Sequence, residues 1–479
     1  MSTALTLTHI LLFGLYALLV VVHTWLQERA RGGNTPILVD HDQARLPHIW
    51  ERPPPVDVVI PTYNEQPDVL AECLASLDRQ DYQGDIRFLV VDDGSSNLES
   101  LLPIYNQYAA KPNWRILRWR DAGNRGKRLA QQAAIYGSPD DRTLLTIDLD
   151  SLTRSVAWEK SKADLIVMVD SDTVVRPDGV SWIVTPFLDD RVAAVTGDVA
   201  VLNHAVNRLT RLISDRYGLL FRHERAAQSS RDGLVYCCAG PFSAYRLEDL
   251  DRDWPDYVGQ RFWGKPCTYG DDLQLTHLAL RRGRRSIYQP SARASTIVPM
   301  TLSAYARQQW RWNRSSYRQF RWIAPVLRAN RNAYQVLDLV ARTAPSLLLA
   351  AAFTVTLVGV AWLGVDPLPV ALATVGGMLL TGFAAVLTQT RKLDFALLYG
   401  VLYVGLLIPT RLWALGTVFN GNWGTRRQPA TSLGLGGPSE QPGSPPVADL
   451  VALLLEQGSR SVQFVDGFAT AATEQQHLG

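Results

Sequence analysis

Asp170 and Asp172 flank Ser171 directly after the apolar run Leu165 to Val169. Carboxylates so placed are hard oxygen ligands of the kind Mg²⁺ or Mn²⁺ takes when the ion is shared with phosphate oxygens. The pair is weak by itself, because aspartate is common in turns after strands. A second copy, Asp148-Leu149-Asp150, falls in a segment (140 to 162) that reads as a surface excursion. Other groups complete the chemistry. Pro61-Thr62-Tyr63-Asn64-Glu65 and Asp92-Asp93-Gly94-Ser95 each follow an apolar run. They offer acceptor oxygens suited to a nucleobase and ribose, and would equally serve as capped strand-to-helix turns. Gly123-Asn124-Arg125-Gly126-Lys127-Arg128 sets glycines and three cations ahead of a helical pattern. Such a segment can bind phosphate through backbone N–H groups and positive side chains, but it lacks the GK[ST] ending of a Walker loop.

Gly270-Asp271-Asp272 opens an amphipathic stretch that closes at Gly283. Acidic residues in a first turn are ordinarily caps; the chemical alternative is that Asp272 takes a proton from a hydroxyl group. Gln308, Arg311 and Trp312 bring amide, guanidinium and indole groups to one segment, suited to a diphosphate and to stacking on a sugar.

The elements that must position these groups are legible in the periodicity. After Pro53-Pro54-Pro55, apolar runs (VDVVIP, IRFLVVDD, WRILRWRD, ADLIVMVDSD) alternate with helical patterns. This alternation predicts βαβ units and a mostly parallel sheet with helices on both faces, whose ligands bind beyond the carboxyl ends of the strands. The polar motifs stand at those ends.

The ends of the chain are of another class. Residues 4 to 26 are uncharged and long enough to span a bilayer, with Glu28, Arg29 and Arg31 following. The basic residues come after the run, which predicts an uncleaved anchor (1–30) with the remainder cytosolic. Arg307, Arg311, Arg314, Arg318 and Arg321 form one helical stripe within residues 301–330, predicting a helix in the membrane interface with its arginines toward lipid headgroups. Apolar segments near 336 to 364, 367 to 389 and 393 to 417 follow within 335–420. The basic residues around them favour one being interfacial or re-entrant, leaving 421–427 cytosolic. Residues 428–479 are rich in Pro, Gly and Ser, predicting a flexible tail. A net charge of +3 is far from a nucleic-acid signature, and four cysteines without metal-ligand spacing predict reduced thiols.

Taken in order, PTYNE, DDGS, GKR, DSD, GDD and QxxRW resemble the family 2 processive glycosyltransferases over residues 55 to 427. The segments VTGDVAVLN, ERAAQS, CCAGPFSAYR, YGDDLQLTHLAL and RQQWRWNRSSYR look most like hyaluronan synthases, with rhizobial chitin-oligosaccharide synthases second. The resemblance implies a GT-A-type domain over 50–300 and a multi-pass plasma-membrane enzyme. It also implies uridine contacts from Tyr63, Glu65 and Asp93, a diphosphate contact from Lys127, metal binding through Asp172 supported by Asp170, and Asp272 as general base. Gln308, Arg311 and Trp312 would form the diphosphate and acceptor platform; Cys238, Gly240 and Pro241 would line the acceptor end; Trp423 and Arg426 would belong to a gating segment. The implied activity is inverting polymerisation of UDP-GlcA and UDP-GlcNAc into hyaluronan, extruded through the membrane helices. The alternative is a chitin-type polymer from UDP-GlcNAc alone, and a non-catalytic nucleotide-binding membrane protein is the reading of another class.

Overall fold

In a computed structural model the described residues are 2–31, 50–119, 123–137, 144–148, 151–154, 160–230, 233–330, 333–364 and 393–419, with a few positions between 366 and 377. All fall within one compact unit, Met1–Arg426. The expectations for 421–427, including Trp423 and Arg426, and for the tail lie outside the described residues.

The strands are β1 (Val56–Thr62), β2 (Ile86–Asp92), β3 (Trp114–Trp119), β4 (Leu144–Asp148), β5 (Ser151–Arg154), β6 (Leu165–Val169), β7 (Thr173–Val175), β8 (Val192–Val201), β9 (Phe242–Arg246), β10 (Arg261–Phe262), β11 (Lys265–Pro266) and β12 (Arg285–Thr296). β10 and β11 form a separate ribbon, and the other ten make one sheet in the order β5-β4-β3-β2-β1-β6-β9-β8-β12-β7. Its parallel core is β3-β2-β1-β6, and antiparallel pairings extend it on both sides. Every residue of β1 and β6 is buried, because a central parallel strand is covered on both faces. Alternate residues serve the two cores. Val58, Ile60, Val90, Val167 and Val169 pack with helices Pro67–Asp78 and Leu98–Ala109. Val59, Leu89, Val91, Ile166 and Met168 face Lys127–Tyr136, Leu247–Val258 and Asp271–Arg281.

The sheet order reverses between β1 and β6, so the chain leaves these neighbouring strands in different directions and opens a crevice at their carboxyl ends. Pro61–Glu65 and Asp170–Asp172 both lie at that point. The segment read as a surface excursion instead supplies β4 and β5, a hairpin on the sheet's edge in which Asp148 pairs with Ser151. The β-branched Thr146, Ile147 and Thr153 favour this extended form. The competing Asp148 is thereby kept from the crevice, with β3, β2 and β1 between it and β6.

Among the described residues, two helices are long and apolar enough to cross a membrane: Ile10–Gln27, within Ser2–Arg31, and the stretch Asp394–Gly416. The first packs with the last and with helix Ala333–Leu363 through Tyr16, Ala352, Val404 and Ile408. A polar joint fixes these helices to the sheet domain. Asp338 is 1% exposed and accepts hydrogen bonds from Gln228 Nε2 (3.0 Å) and from His23 Nε2 (2.8 Å).

The long helix Leu302–Asn330 corrects the expected arginine face. Arg314 and Arg318 are 0% and 4% exposed. Their guanidinium groups lie 4.8 and 4.4 Å from the centre of the Tyr269 ring, and Arg314 also stacks at 3.8 Å over Trp310. Flat guanidinium groups can be covered by aromatic faces where an ammonium would demand water. This part of the stripe therefore docks the helix on the sheet domain.

His277, in the helix Asp271–Arg281, is 5% exposed, and its Nδ1 has no partner among the described residues. Burial lowers its pKa to about 4. Because the unfolded chain takes up this proton near pH 6.5, the contribution of neutral His277 is held above that pH and lost as pH falls toward 4. The loss reaches about 2 kcal/mol at pH 5. Thermal unfolding of wild type and His277→Leu between pH 7 and 5 checks this: the wild-type midpoint should fall more steeply with acid than that of the variant.

Candidate active site

The crevice is organised around Lys127, the first residue of its helix. Its Nζ lies 2.7 Å from Asp170 Oδ1 and 2.9 Å from Asp271 Oδ2. Burial opposes the ammonium, but the two carboxylates raise its pKa, so it stays protonated. Arg128, next in the chain, secures the geometry. It donates to Tyr257 O (2.6 Å), to Gln260 Oε1 (2.7 Å) and to Gln274 Oε1, tying its helix to the one that begins at Asp271.

Asp271 and Asp272 are adjacent but have opposite electrostatics. Burial disfavours the Asp271 carboxylate, yet Lys127 and Arg128 prevail and lower its pKa. Asp272 is pushed up by burial and then by the charge of Asp271. Leu273 N donates to its Oδ1 (2.8 Å), and Gly240 N approaches its Oδ2 at 3.3 Å. A carboxylate raised by its surroundings, beside a partner held ionised, is suited to accepting a proton near neutral pH.

Asp170 and Asp172 leave β6 beneath this pair. Asp172 Oδ1 accepts from Thr296 Oγ1 (3.1 Å), while Ser171 Oγ donates to Glu65 Oε2 (2.6 Å), joining the turn after β1 to the turn after β6. Among the described residues no three His, Cys, Asp or Glu side chains form a ready metal cage. Two carboxylates are nevertheless what Mg²⁺ commonly takes from protein when phosphate and water supply its other ligands. Gly240 leaves that space open: a Cβ there would stand 3.2 Å from Lys127 Nζ and 3.3 Å from Asp170 Oδ2. The donor set fits a hard divalent ion shared with a phosphorylated ligand.

The remaining predicted residues divide. Asp93 uses both oxygens on protein donors, namely Trp119 Nε1 (2.7 Å), Arg125 N (2.9 Å) and Gly126 N (2.8 Å), so it holds the glycine-rich loop in place. Burial raises its pKa against those bonds. Tyr63 stands partly exposed in the turn after β1. Gln308 is partly buried on the long helix, and Trp312 is 39% exposed. Arg311 reaches the site's electrostatics: Tyr217, raised by burial and by Asp172 and Asp170, is also influenced by Arg311 and Arg225. Cys238 is 0% exposed in the core, with its thiol pushed up to about 12 by burial. Its neighbour Cys237 lies nearer the acidic pair, its thiol pushed up by burial and then by the Asp272 charge. Pro241 O accepts from Asp170 N (3.4 Å).

Sequence reasoning missed Tyr217, Arg225, Cys237 and Thr296, and assigned Asp271 no task of its own. Arg225 donates through Nε to Cys237 O (3.0 Å) and is buried. The one available signal was the adjacency of Asp271 and Asp272, since two neighbouring carboxylates on one helix end rarely share an environment.

Comparison with known proteins places these features in context. Residues 53–315 match the family described as "Glycosyltransferase like family 2". An N-acetylglucosaminyltransferase of Sinorhizobium fredii is 36% identical over 382 residues, covering 79% of this chain and 86% of that protein. One of Mesorhizobium japonicum is 37% identical over 381 residues, covering 79% and 83%. A mannosyltransferase of Pyrobaculum calidifontis, solved with GDP-Man and Mn²⁺, superposes with a TM-score of 0.57 at 19% identity, over 87% of this chain and 99% of its own.

Gly270 makes the acidic pair possible. Its φ is +77°, and a Cβ would fall 1.7 Å from Ser315 Oγ on the long helix. Gly270→Ala should therefore destabilise by about 2 kcal/mol and displace Asp271 and Asp272. Denaturant unfolding checks the cost. Adding Ser315→Ala should recover part of it, because the clash is relieved while the left-handed backbone remains.

Proposed function

From the premise that this chain belongs to glycosyltransferase family 2 and has a GT-A-type fold, we propose that it transfers N-acetylglucosamine from UDP-GlcNAc to a growing chitin-type oligosaccharide. The observation that carries the choice of sugar is the 36–37% identity, over 79% of this chain, to rhizobial N-acetylglucosaminyltransferases. Hyaluronan synthesis from UDP-GlcNAc and UDP-GlcA, the first expectation from the sequence, gives way to its alternative on that ground.

The geometry supports an inverting transfer. Asp272 accepts the proton of the acceptor hydroxyl as that oxygen attacks the anomeric carbon and the bond to the diphosphate breaks. Its raised pKa brings proton affinity nearer neutrality, and Asp271, held ionised by Lys127, keeps it there. The departing diphosphate needs positive charge: Lys127 and Arg311 supply it in this reading, with Gln308 and Trp312 beside them. Asp172 and Asp170 would hold Mg²⁺ or Mn²⁺, which when bound neutralises diphosphate charge as a Lewis acid. Tyr63, Glu65 and Asp93 lie at the turns that would receive uridine, Glu65 through its bond to Ser171 and Asp93 by shaping the loop. Gly240 and Pro241, with Cys237 and Cys238 behind them, form the acceptor side. Ile10–Gln27 and Asp394–Gly416 would embed the enzyme in the plasma membrane with this site on the cytosolic face.

Purified enzyme with Mg²⁺ or Mn²⁺ should make oligosaccharide from UDP-GlcNAc alone; product that requires UDP-GlcA would overturn the assignment. Asp272→Asn should lower turnover by about 10²–10⁴-fold while UDP binding measured by calorimetry is preserved. In the pH–rate profile, activity is lost as pH falls through the raised Asp272 pKa. Asp271→Asn removes the charge that helps raise it, so the acid limb should move to lower pH.

A further inference from the structure

The ribbon β10–β11 is unused by the proposed chemistry and carries an unusual tip. It turns at Trp263-Gly264, with φ of 49° and 80°, and Arg261 Nη1 closes the turn by donating to Gly264 O (2.9 Å). Gly264 adopts a left-handed backbone freely, whereas a bulky aromatic such as Trp263 is strained in it. Trp263 gains no burial in exchange, being 78% exposed. Arg261, Lys265 and Pro266 around it are exposed as well.

The base of the ribbon is fixed. Phe262 lies 5.6 Å from Phe419 between ring centres, Trp263 meets Phe419 edge-on at 6.3 Å, and Arg318 sits 5.7 Å over Phe262 while donating to Val418 O (2.9 Å). Phe419 follows the helix Ile408–Gly416, which ends the apolar stretch Asp394–Gly416. Phe419 and Trp413 are 51% and 65% exposed. An exposed indole with a cation on each side thus adjoins the end of an apolar helix. Tryptophan at such a boundary favours the headgroup level of a bilayer, and Lys or Arg beside it favours lipid phosphate. A glycan would also stack on an indole, but the ribbon 261–266 has no carboxylate or amide side chain to accept hydrogen bonds from its hydroxyl groups. The exposed neighbours of Trp263 on the ribbon are two cations, a glycine and a proline.

We propose that the Trp263 ribbon is an interfacial anchor, seated in the phospholipid headgroup layer with its indole near the acyl boundary and Arg261 and Lys265 on lipid phosphates. The inference rests on Asp394–Gly416 being inserted in the membrane. Its consequence for the site is positional. Cys267 and Tyr269 are buried behind the ribbon, and Gly270 abuts Ser315, so an anchored ribbon fixes the Asp271–Arg281 helix at a set depth below the lipid.

The test uses the full chain in vesicles of phosphatidylglycerol and phosphatidylcholine. Trp263→Cys is labelled with bimane, Arg79→Cys in an exposed turn serves as reference, and labelled wild type serves as blank for the native cysteines. Lipids brominated at the top of the acyl chain should reduce emission at position 263 by roughly half and leave position 79 unchanged. Flotation with the vesicles but an unquenched label at 263 would overturn the ribbon's seat alone. So would a label that responds to chitin oligosaccharide or UDP-GlcNAc and is indifferent to bromolipid. Failure to float would overturn the insertion of Asp394–Gly416 and the anchor together.

Discussion

One ammonium between two carboxylates holds the catalytic half of this molecule together. Lys127 reaches Asp170 at the end of β6 and Asp271 at the start of a helix more than a hundred residues later, at 2.7 and 2.9 Å. Removing one partner of a buried ion pair typically costs about 3–5 kcal/mol, and less where a partner keeps water, as Asp170 does at 31% side-chain exposure. The greater consequence is electrostatic. Without Lys127, Asp271 would lose the charge that keeps it ionised, and Asp272 beside it would lose its contrast. The carboxylate at the end of β6 and the acidic pair at the start of the Asp271–Arg281 helix are thus adjusted by the same cation, and in the proposed reaction a bound diphosphate would compete for it.

That arrangement depends on close backbone approaches. Gly270 admits Ser315 of the long helix, and Gly240 leaves room beside Lys127 and Asp170. Gly94 similarly meets the Gly123 carbonyl, where a Cβ would stand at 2.8 Å, so the turn after β2 and the glycine-rich loop share one surface. At each of these places a side chain would separate parts that the chemistry needs together. Arg128 then locks the result, its guanidinium tying two helices that face the same side of the sheet.

The apolar helices are part of the same construction. His23, Asp338 and Gln228 join three distant pieces of chain through hydrogen bonds of 2.8 and 3.0 Å. Gln228 Oε1 in turn accepts from Tyr236 N (3.3 Å), immediately before Cys237 and the turn at Gly240. Polar groups between apolar helices fix register more than they add stability. Here that register is passed to the loop that faces Asp272.

The sequence by itself determined the sheet core and the identity of most polar groups at its ends. Continuous apolar runs such as Leu165–Val169 have no other stable use than a strand covered on both faces, and polar residues directly after them must emerge at the strand end. It also separated Asp170–Asp172 from Asp148, although it read the latter's surroundings as an excursion when they extend the sheet. Only tertiary structure decided which charges meet. Lys127 with Asp271, Ser171 with Glu65, Cys237 rather than Cys238 beside Asp272, and Arg314 and Arg318 turned inward all join residues from separate segments. Their pairing is set by how helices cross the sheet, by the room that glycines leave, and by which aromatic faces cover a guanidinium. Periodicity along the chain records whether a residue points inward, but not which distant group it will find there.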